Sequence, residues 1–399
     1  MKETIGILHF TAWPVAGGVE MMIASEARAL LDAGWTVRIV TGRGDAIDGA
    51  EHIVIPEMLP PSRRDDVNAP DEDSVRRLSA LLARALQGCG QCWVHNILTV
   101  DLHPGLTVAV QRLVDKETDI SFVNWCCDLS AASAFVDGAF RGWMIEWLTT
   151  QSDLEHVAIS HVRRHDLACA LGVNPDCIPV VSPPCDVLEW FGLHPGTRRL
   201  CDALDLLQSD IVVLVPAKVL PHKHLELAVE VGAELQKLVR LGRVLVSGGL
   251  SPHETERSCQ LRETLLRLIS TSGAENTVHF LADGEGSYLE SRVVRELIGI
   301  ADIVLLPSFE EGFGMPLMEA AALRVPVLCS DIPAFREAAG QSVRFFPTDA
   351  SSGVIARMAL AIAREPVNAD RRRALGSFAT FTAGVTHVAS RAGVAAPAS

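Results

Sequence analysis

One pattern runs from end to end of this chain: short apolar, largely β-branched runs alternate with longer stretches whose apolar positions recur at helical spacing. Runs such as Ile211–Val215 are apolar throughout, so strands of this kind need cover on both faces. The alternation therefore predicts parallel sheets sandwiched between helices. At about 150 residues per domain, a length of 399 residues suggests two such domains, each able to bury a core.

The first half reads as strand Thr4–Phe10, helix Val19–Ala33 stopped by Gly34, strand Thr36–Thr41, and a polar excursion through Arg63-Arg64-Asp65-Asp66. Helix Asp71–Leu86, strands Cys92–His95 and Ile120–Trp125, helix Phe140–Thr149, strand His156–Ser160, helix His161–Leu171 and strand Ile178–Val181 follow. Between Ser182 and Asp210 the periodicity gives way to Pro183-Pro184, Gly192, Pro195-Gly196 and a mixed helical piece, and a domain junction is expected there. It restarts with strand Ile211–Val215 and helix Lys223–Val239, and continues to helix Gly353–Arg364. The expected layout is an N-terminal domain over 1–190, a linker over 191–210, a C-terminal domain over 211–385 and a flexible tail over 386–399. In such doubly wound domains the ligand belongs at the carboxyl ends of the strands.

Composition narrows the partners. Forty-nine acidic residues against 35 basic ones leave a formal charge of −14, which repels nucleic acid and anionic membrane surfaces. Any phosphate must be held by a local site. The ten cysteines are scattered through apolar stretches and read as reduced thiols of a cytoplasmic protein. Cys89-Gly-Gln-Cys92 has no second pair at zinc-ligand spacing, so two structural thiols are the simpler reading. The N-terminal apolar run is too short for a signal peptide, and no stretch approaches the ~18 apolar residues of a membrane span.

Three segments suggest chemistry. Pro307-Ser-Phe-Glu-Glu311-Gly-Phe-Gly314-Met-Pro316-Leu-Met-Glu319 follows an apolar strand, turns through two glycines and enters a helix with Pro316 in its first turn. Such a helix start aims backbone N–H groups and a positive dipole end at an anion. Glu311 and Glu319 flank that anion site, either as two surface glutamates of a glycine-rich turn or placed to bind hydroxyls on either side of a diphosphate. The second segment, Pro216-Ala-Lys218-Val-Leu-Pro-His-Lys223-His, carries two lysines that alone read as solvated surface groups; set against the dipole's own preference and beside the first segment, they make sense with an anion between them. The third, Trp13-Pro-Val-Ala-Gly17-Gly18-Val-Glu20, lets backbone approach a phosphate but lacks the G-x-G-x-x-G fingerprint.

In this order and spacing the segments resemble the retaining, nucleotide-sugar-dependent glycosyltransferases of the GT-B fold, family four, with Glu311 and Glu319 matching the spaced glutamate pair of their signature. The stretch Val325-Pro-Val-Leu-Cys-Ser-Asp331-Ile-Pro-Ala-Phe-Arg336-Glu337 is similar as well. The resemblance implies two Rossmann-like α/β domains facing a central cleft, acceptor-side first and donor-side second. It places Glu311 by the donor sugar and Glu319 on the ribose, with Gly314, Met315, Pro316 and Leu317 lending backbone N–H groups to sugar and diphosphate and Phe313 also on the donor side. Lys218 and Lys223 fall where the family carries an arginine and a lysine on the leaving diphosphate; a lysine keeps the charge and loses the fork of donors. Gly17 and Gly18 match the family's glycine pair.

The implied reaction is hexosyl transfer with retention from a nucleoside diphosphate sugar to a small polar or glycan acceptor, with no metal and no cofactor beyond the co-substrate. One departure stands out: Trp125-Cys126-Cys127-Asp128-Leu129 places Cys127 where relatives carry a histidine that touches the donor sugar. An adapted active site, a weakened enzyme and an alignment shifted by one residue all fit that difference. A binding-only homologue acting as a partner subunit is the alternative function, and homo-oligomer formation stays open. His95, Asn96 and Asp128 are acceptor-side candidates; a capping or turn role fits the Asn and Asp equally well. His222 and His224 read as solvated, Arg336-Glu337 as packing or an ion pair, and the lone tyrosine, Tyr288, supports no inference.

Overall fold

A computed structural model of the chain describes residues 3–61, 71–116, 119–129, 139–151, 153–185, 190–250, 255–282, 288–340 and 343–391. The Arg63–Asp66 run lies outside them. Two compact units emerge, one made of residues 1–184 and 380–399, the other of 185–379. The first is built from β1 (Thr4–Leu8), α1 (Gly18–Asp32), β2 (Thr36–Thr41), β3 (Glu51–Val54), α2 (Glu72–Ala85), β4 (Cys89–His95) and α3 (Pro104–Val114). It continues through β5 (Ser121–Cys126), α4 (Ala139–Thr149), β6 (Glu155–Ala158) and α5 (His161–Leu171).

The second unit runs through α6 (Pro195–Ala203), β7 (Ile211–Val215), α7 (Leu225–Leu235), β8 (Gly242–Val246), α8 (Thr255–Ser272), β9 (Val278–Phe280) and α9 (Ser291–Ile300). After these come β10 (Ile303–Leu306), α10 (Met315–Ala322), β11 (Val327–Ser330), α11 (Pro333–Ala338), β12 (Val343–Phe346), α12 (Ser352–Ala363) and the start of α13 (Pro366–Arg391), whose residues from Thr380 on belong to the first unit.

Every strand pair is parallel, and the orders are β3-β2-β1-β4-β5-β6 and β12-β11-β10-β7-β8-β9. Counted from its own first strand, each sheet has the same doubly wound order, with the reversal between β1 and β4 and between β7 and β10. Strand side chains alternate between two apolar layers as their period of two requires. Ile211, Val213 and Val215 pack with Leu225, Val229 and Ile355, while Val212 and Leu214 pack on the opposite face with Leu297 and Leu317. With both faces sealed, polar groups collect at the strand ends.

Several sequence expectations differ from the structure. Strand β3 and helix α3 were not legible. The first is short and half-exposed, and the second is capped by the Nδ1 of His103, which accepts from the Leu106 N–H at 3.1 Å. The expected strand at Ile178–Val181 is a single bridge from Ala158 to Val180, because Pro179 has no N–H to extend a ladder. The stretch 191–210 is no linker: α6 lies within it and Cys201 and Leu206 are buried in the second unit's core. Nor is 386–391 a loose tail. It is helical, Val388 and Ala389 are 1% exposed, and the Gln91 amide donates to the Ala389 carbonyl at 2.7 Å.

In the second unit α13 is fastened by charge. Arg372 donates to both Asp302 oxygens at 2.9 and 2.8 Å, and also to the Leu206 and Ile300 carbonyls. Asp302 is 2% exposed and accepts the Val212 N–H at 2.7 Å as well. Removing the cation strands a buried carboxylate, so Arg372→Met should cost about 3–5 kcal/mol. Urea denaturation checks this, and a change under about 1 kcal/mol would show the pair to be dispensable.

Candidate functional site

The β7–β10 reversal gathers the charges singled out in the second unit. Lys218 lies exposed in the loop after β7, and Lys223 closes the 3-10 turn Pro221–Lys223 ahead of α7. From the loop after β10, Glu311 meets Lys223 at 2.6 Å, both side chains mostly shielded, and Ser308 Oγ donates to the same carboxylate oxygen at 2.9 Å. Two further contacts bind these loops together. The Phe309 N–H donates to the His222 carbonyl at 2.9 Å, and the His224 ring stacks on Phe309 at 4.0 Å. The His224 ring thus helps to hold the loop pair, a role that its helix-start position did not reveal, whereas His222 contributes only its carbonyl and its side chain is exposed as expected.

Gly314 begins α10 at φ +94°, a left-handed conformation that favours glycine, and a Cβ there would sit 2.9 Å from the Phe335 ring. This tight turn corrects one expectation. Pro316 has no N–H to offer, and the Leu317 N–H already donates to the Gly314 carbonyl at 2.9 Å while its side chain is buried. Of the four residues expected to give the donor backbone N–H groups, Gly314 and Met315 are left as candidates; Met315 and the neighbouring Phe313 stand exposed.

A cavity of about 310 Å³ opens beside this turn, lined by Lys218, Met315, Pro316 and Glu319. Its floor is Ser247-Gly248-Gly249 after β8, a segment that sequence reasoning passed over. The signal was there: two glycines directly after an apolar strand. A Cβ on Gly248 would fall 2.1 Å from the Ala217 carbonyl oxygen, so glycine lets the two loops touch. Nearby, Arg336 grips Asp331 through two bonds of 2.6 and 2.7 Å, holding that carboxyl below its usual range, and covers the Phe345 ring.

The β1–β4 reversal of the first unit is different in character. His95 and Glu26, both 0% exposed, approach at 3.0 Å, and burial pushes the Glu26 carboxyl up. His9 donates its Nδ1–H to the His95 carbonyl at 3.0 Å, and burial lowers the pKa of its ring to about 4. Glu20, in the first turn of α1, is hydrogen-bonded by Thr11 and lies 3.8 Å from His9 Nε2. Gly17 and Gly18 start that helix. Gly17 is extended, so its value is space, since a Cβ there would strike the Glu20 carboxylate.

Cys127 is 3% exposed, 4.0 Å from His95 Nδ1, and burial raises its thiol well above the usual range. Asn96, at φ +61°, accepts the Cys127 and Asp128 N–H groups at 3.0 and 2.9 Å. It therefore serves as a turn clamp, and Asp128 alone of these candidates is exposed. Glu20, Glu26 and His9 escaped sequence reasoning because nothing local marks a helical glutamate as buried. Among the described residues, no three His, Cys, Asp or Glu side chains form a group able to hold a metal ion, and no helix is long and apolar enough to cross a membrane.

Residues 202–377 match the family described as glycosyl transferases group 1. A D-inositol 3-phosphate glycosyltransferase of Rhodococcus jostii is 30% identical over 332 residues, covering 79% of this chain and 70% of the relative. Mannosylglucosylglycerate synthase of Petrotoga mobilis is 23% identical over 260 residues, 61% of this chain and 60% of that one. The D-inositol 3-phosphate glycosyltransferase of Nocardia farcinica matches at 31% over 164 residues, 34% of its own length. The chain thus spans between a third and three fifths of these last two relatives. A crystal structure of a glycosyltransferase from Rickettsia africae aligns over 98% of both chains with 17% identity and a TM-score of 0.39.

Two outcomes follow from the packing. Gly248→Ala should force the Pro216–Lys218 loop away and cost about 1–3 kcal/mol, visible as a lowered melting temperature; an unchanged melt would mean the loops do not need that contact. Iodoacetamide at pH 8 should label the exposed Cys169 and Cys177 in the native protein and Cys127 only after unfolding, read by peptide mass mapping. Equal labelling of Cys127 would contradict its burial.

Proposed function

The chain belongs to the group 1 glycosyl transferases, built from two Rossmann-like α/β units of the GT-B kind, and from that premise we propose that it transfers a hexose from a nucleoside diphosphate sugar to a small polar or glycan acceptor. The configuration at the anomeric carbon is retained, and neither metal nor further cofactor takes part. The observation that carries the reading is the convergence of Lys218, Lys223, Glu311 and Glu319 on one strand-order reversal within the second unit.

Each residue has a role there. Glu319, on the cavity wall, holds the ribose hydroxyls, and the exposed Lys218 meets the diphosphate. Lys223 offsets the charge that develops on the departing nucleoside diphosphate, and its ion pair with Glu311 orients that carboxylate toward the sugar. Gly314 and Met315 add backbone donors at the positive start of α10. In the first unit, the exposed Asp128 and the turn that Asn96 clamps are assigned to acceptor selection, with Gly17 and Gly18 giving backbone access. His95 and Cys127 support that turn from beneath. The thiol's burial argues for a packing role in place of the family's histidine contact.

A thermal-shift screen of UDP-, GDP- and ADP-sugars identifies the donor, since a ligand at 100 times its Kd adds about 2.7 kcal/mol. With that donor, Lys218→Ala and Glu319→Ala should weaken donor binding at least about tenfold, and Lys223→Ala and Glu311→Gln should lower kcat roughly 10²-fold. Proton NMR of the product reads retention. Donor binding without turnover, or unaltered transfer in Glu319→Ala and Lys223→Ala, would overturn the assignment.

A further inference from the structure

Tyr288 is the one tyrosine of the chain, and it stands 60% exposed just ahead of α9. It lines the Lys218–Glu319 cavity and also a second cavity of about 380 Å³ in the same unit, whose walls include His194, Arg199 and Glu290. Leu289 is the other residue common to both. The ring therefore forms the sill between a compartment with a lysine and a glutamate and a compartment rich in hydrogen-bonding side chains.

We infer that the nucleobase of the donor stacks on Tyr288 and turns its hydrogen-bonding edge into the second cavity, where Arg199 and Glu290 read it. The inference rests on the reading of the second unit as a nucleoside diphosphate site. If Lys218 takes the phosphates and Glu319 the ribose, the base must lie further along the same wall, and the aromatic face on that wall is Tyr288. A flat base covers an exposed ring that water solvates poorly, whichever base it is. Discrimination among bases then needs donors and acceptors at the edge. The first compartment offers Ser247 and backbone there, whereas the second offers a guanidinium, a carboxylate and an imidazole. His194 is fixed for this purpose, its Nδ1 accepting the Gly196 N–H at 3.1 Å and its Nε2 lying 3.6 Å from Glu290.

A single tyrosine makes the test direct. The full chain labelled with 3-fluorotyrosine gives one ¹⁹F resonance, which UDP, GDP or ADP should shift and pyrophosphate should leave in place. Tyr288→Ala should weaken the nucleotides roughly 5- to 150-fold, Tyr288→Phe should not, and both should bind pyrophosphate normally. Arg199→Ala should change the ranking of UDP, GDP and ADP without altering pyrophosphate affinity. Nucleotide binding with an unmoved resonance and a neutral Tyr288→Ala would overturn the stacking while leaving the proposed function intact. Loss of pyrophosphate binding in Arg199→Ala would make that residue a phosphate contact and overturn the edge reading. If none of the three nucleotides bound the unaltered protein, the proposed function and this inference would fall together.

Discussion

A parallel sheet covered by helices on both faces has its ladder hydrogen bonds satisfied and its side chains buried, so charge can gather only where strands end. The doubly wound order then opens a crevice at one point of that edge, where consecutive crossovers leave for opposite faces. In the second unit this point lies between β7 and β10, and the Lys223–Glu311 pair spans it. The Gly314 turn, the Phe309–His222 bond and the Gly248–Ala217 contact all shape the two loops that this pair joins.

The first unit repeats the topology with another outcome. There the crevice end of the sheet is packed tight: Trp93 and Trp125 lie against one another, Trp125 stacks on His95, and Glu26 meets the Nε2 edge of that histidine. A carboxylate without water is costly, which is why burial drives the Glu26 proton affinity up. The same strand order thus supports a charge cluster that opens to solvent through Lys218 and Glu319 in one unit and a sealed polar network in the other. The difference comes from side-chain volume at the strand ends: glycines such as Gly248 leave room in the second unit, tryptophans fill it in the first.

Cys127 illustrates how position outweighs residue type. Its sequence neighbours suggested a place in the active site, yet its thiol points among buried groups, and the exposed polar group of that segment is Asp128. Asn96 shows the reverse: a short polar side chain in a left-handed backbone conformation proves to organise the turn, which its alternative reading as a turn residue had anticipated.

Hydrophobic periodicity was enough to read the class of fold, the existence of two units and most strands, because burial on two faces leaves a local, repeated trace. The glutamate pair and the two lysines were likewise readable, since each sits at a fixed offset from a strand end and a glycine turn. Which groups meet was not readable. Glu311 and Lys223 are 88 residues apart, Glu26 and His95 lie on different elements, and Gly248 matters through contact with Ala217. In the sequence helix α6 shows only as a mixed helical piece inside a linker and the end of α13 as a tail, because their docking depends on cores built elsewhere in the chain. Such pairings depend on strand order and crossover geometry, and these arise from the packing of the whole unit, which no local stretch of residues encodes.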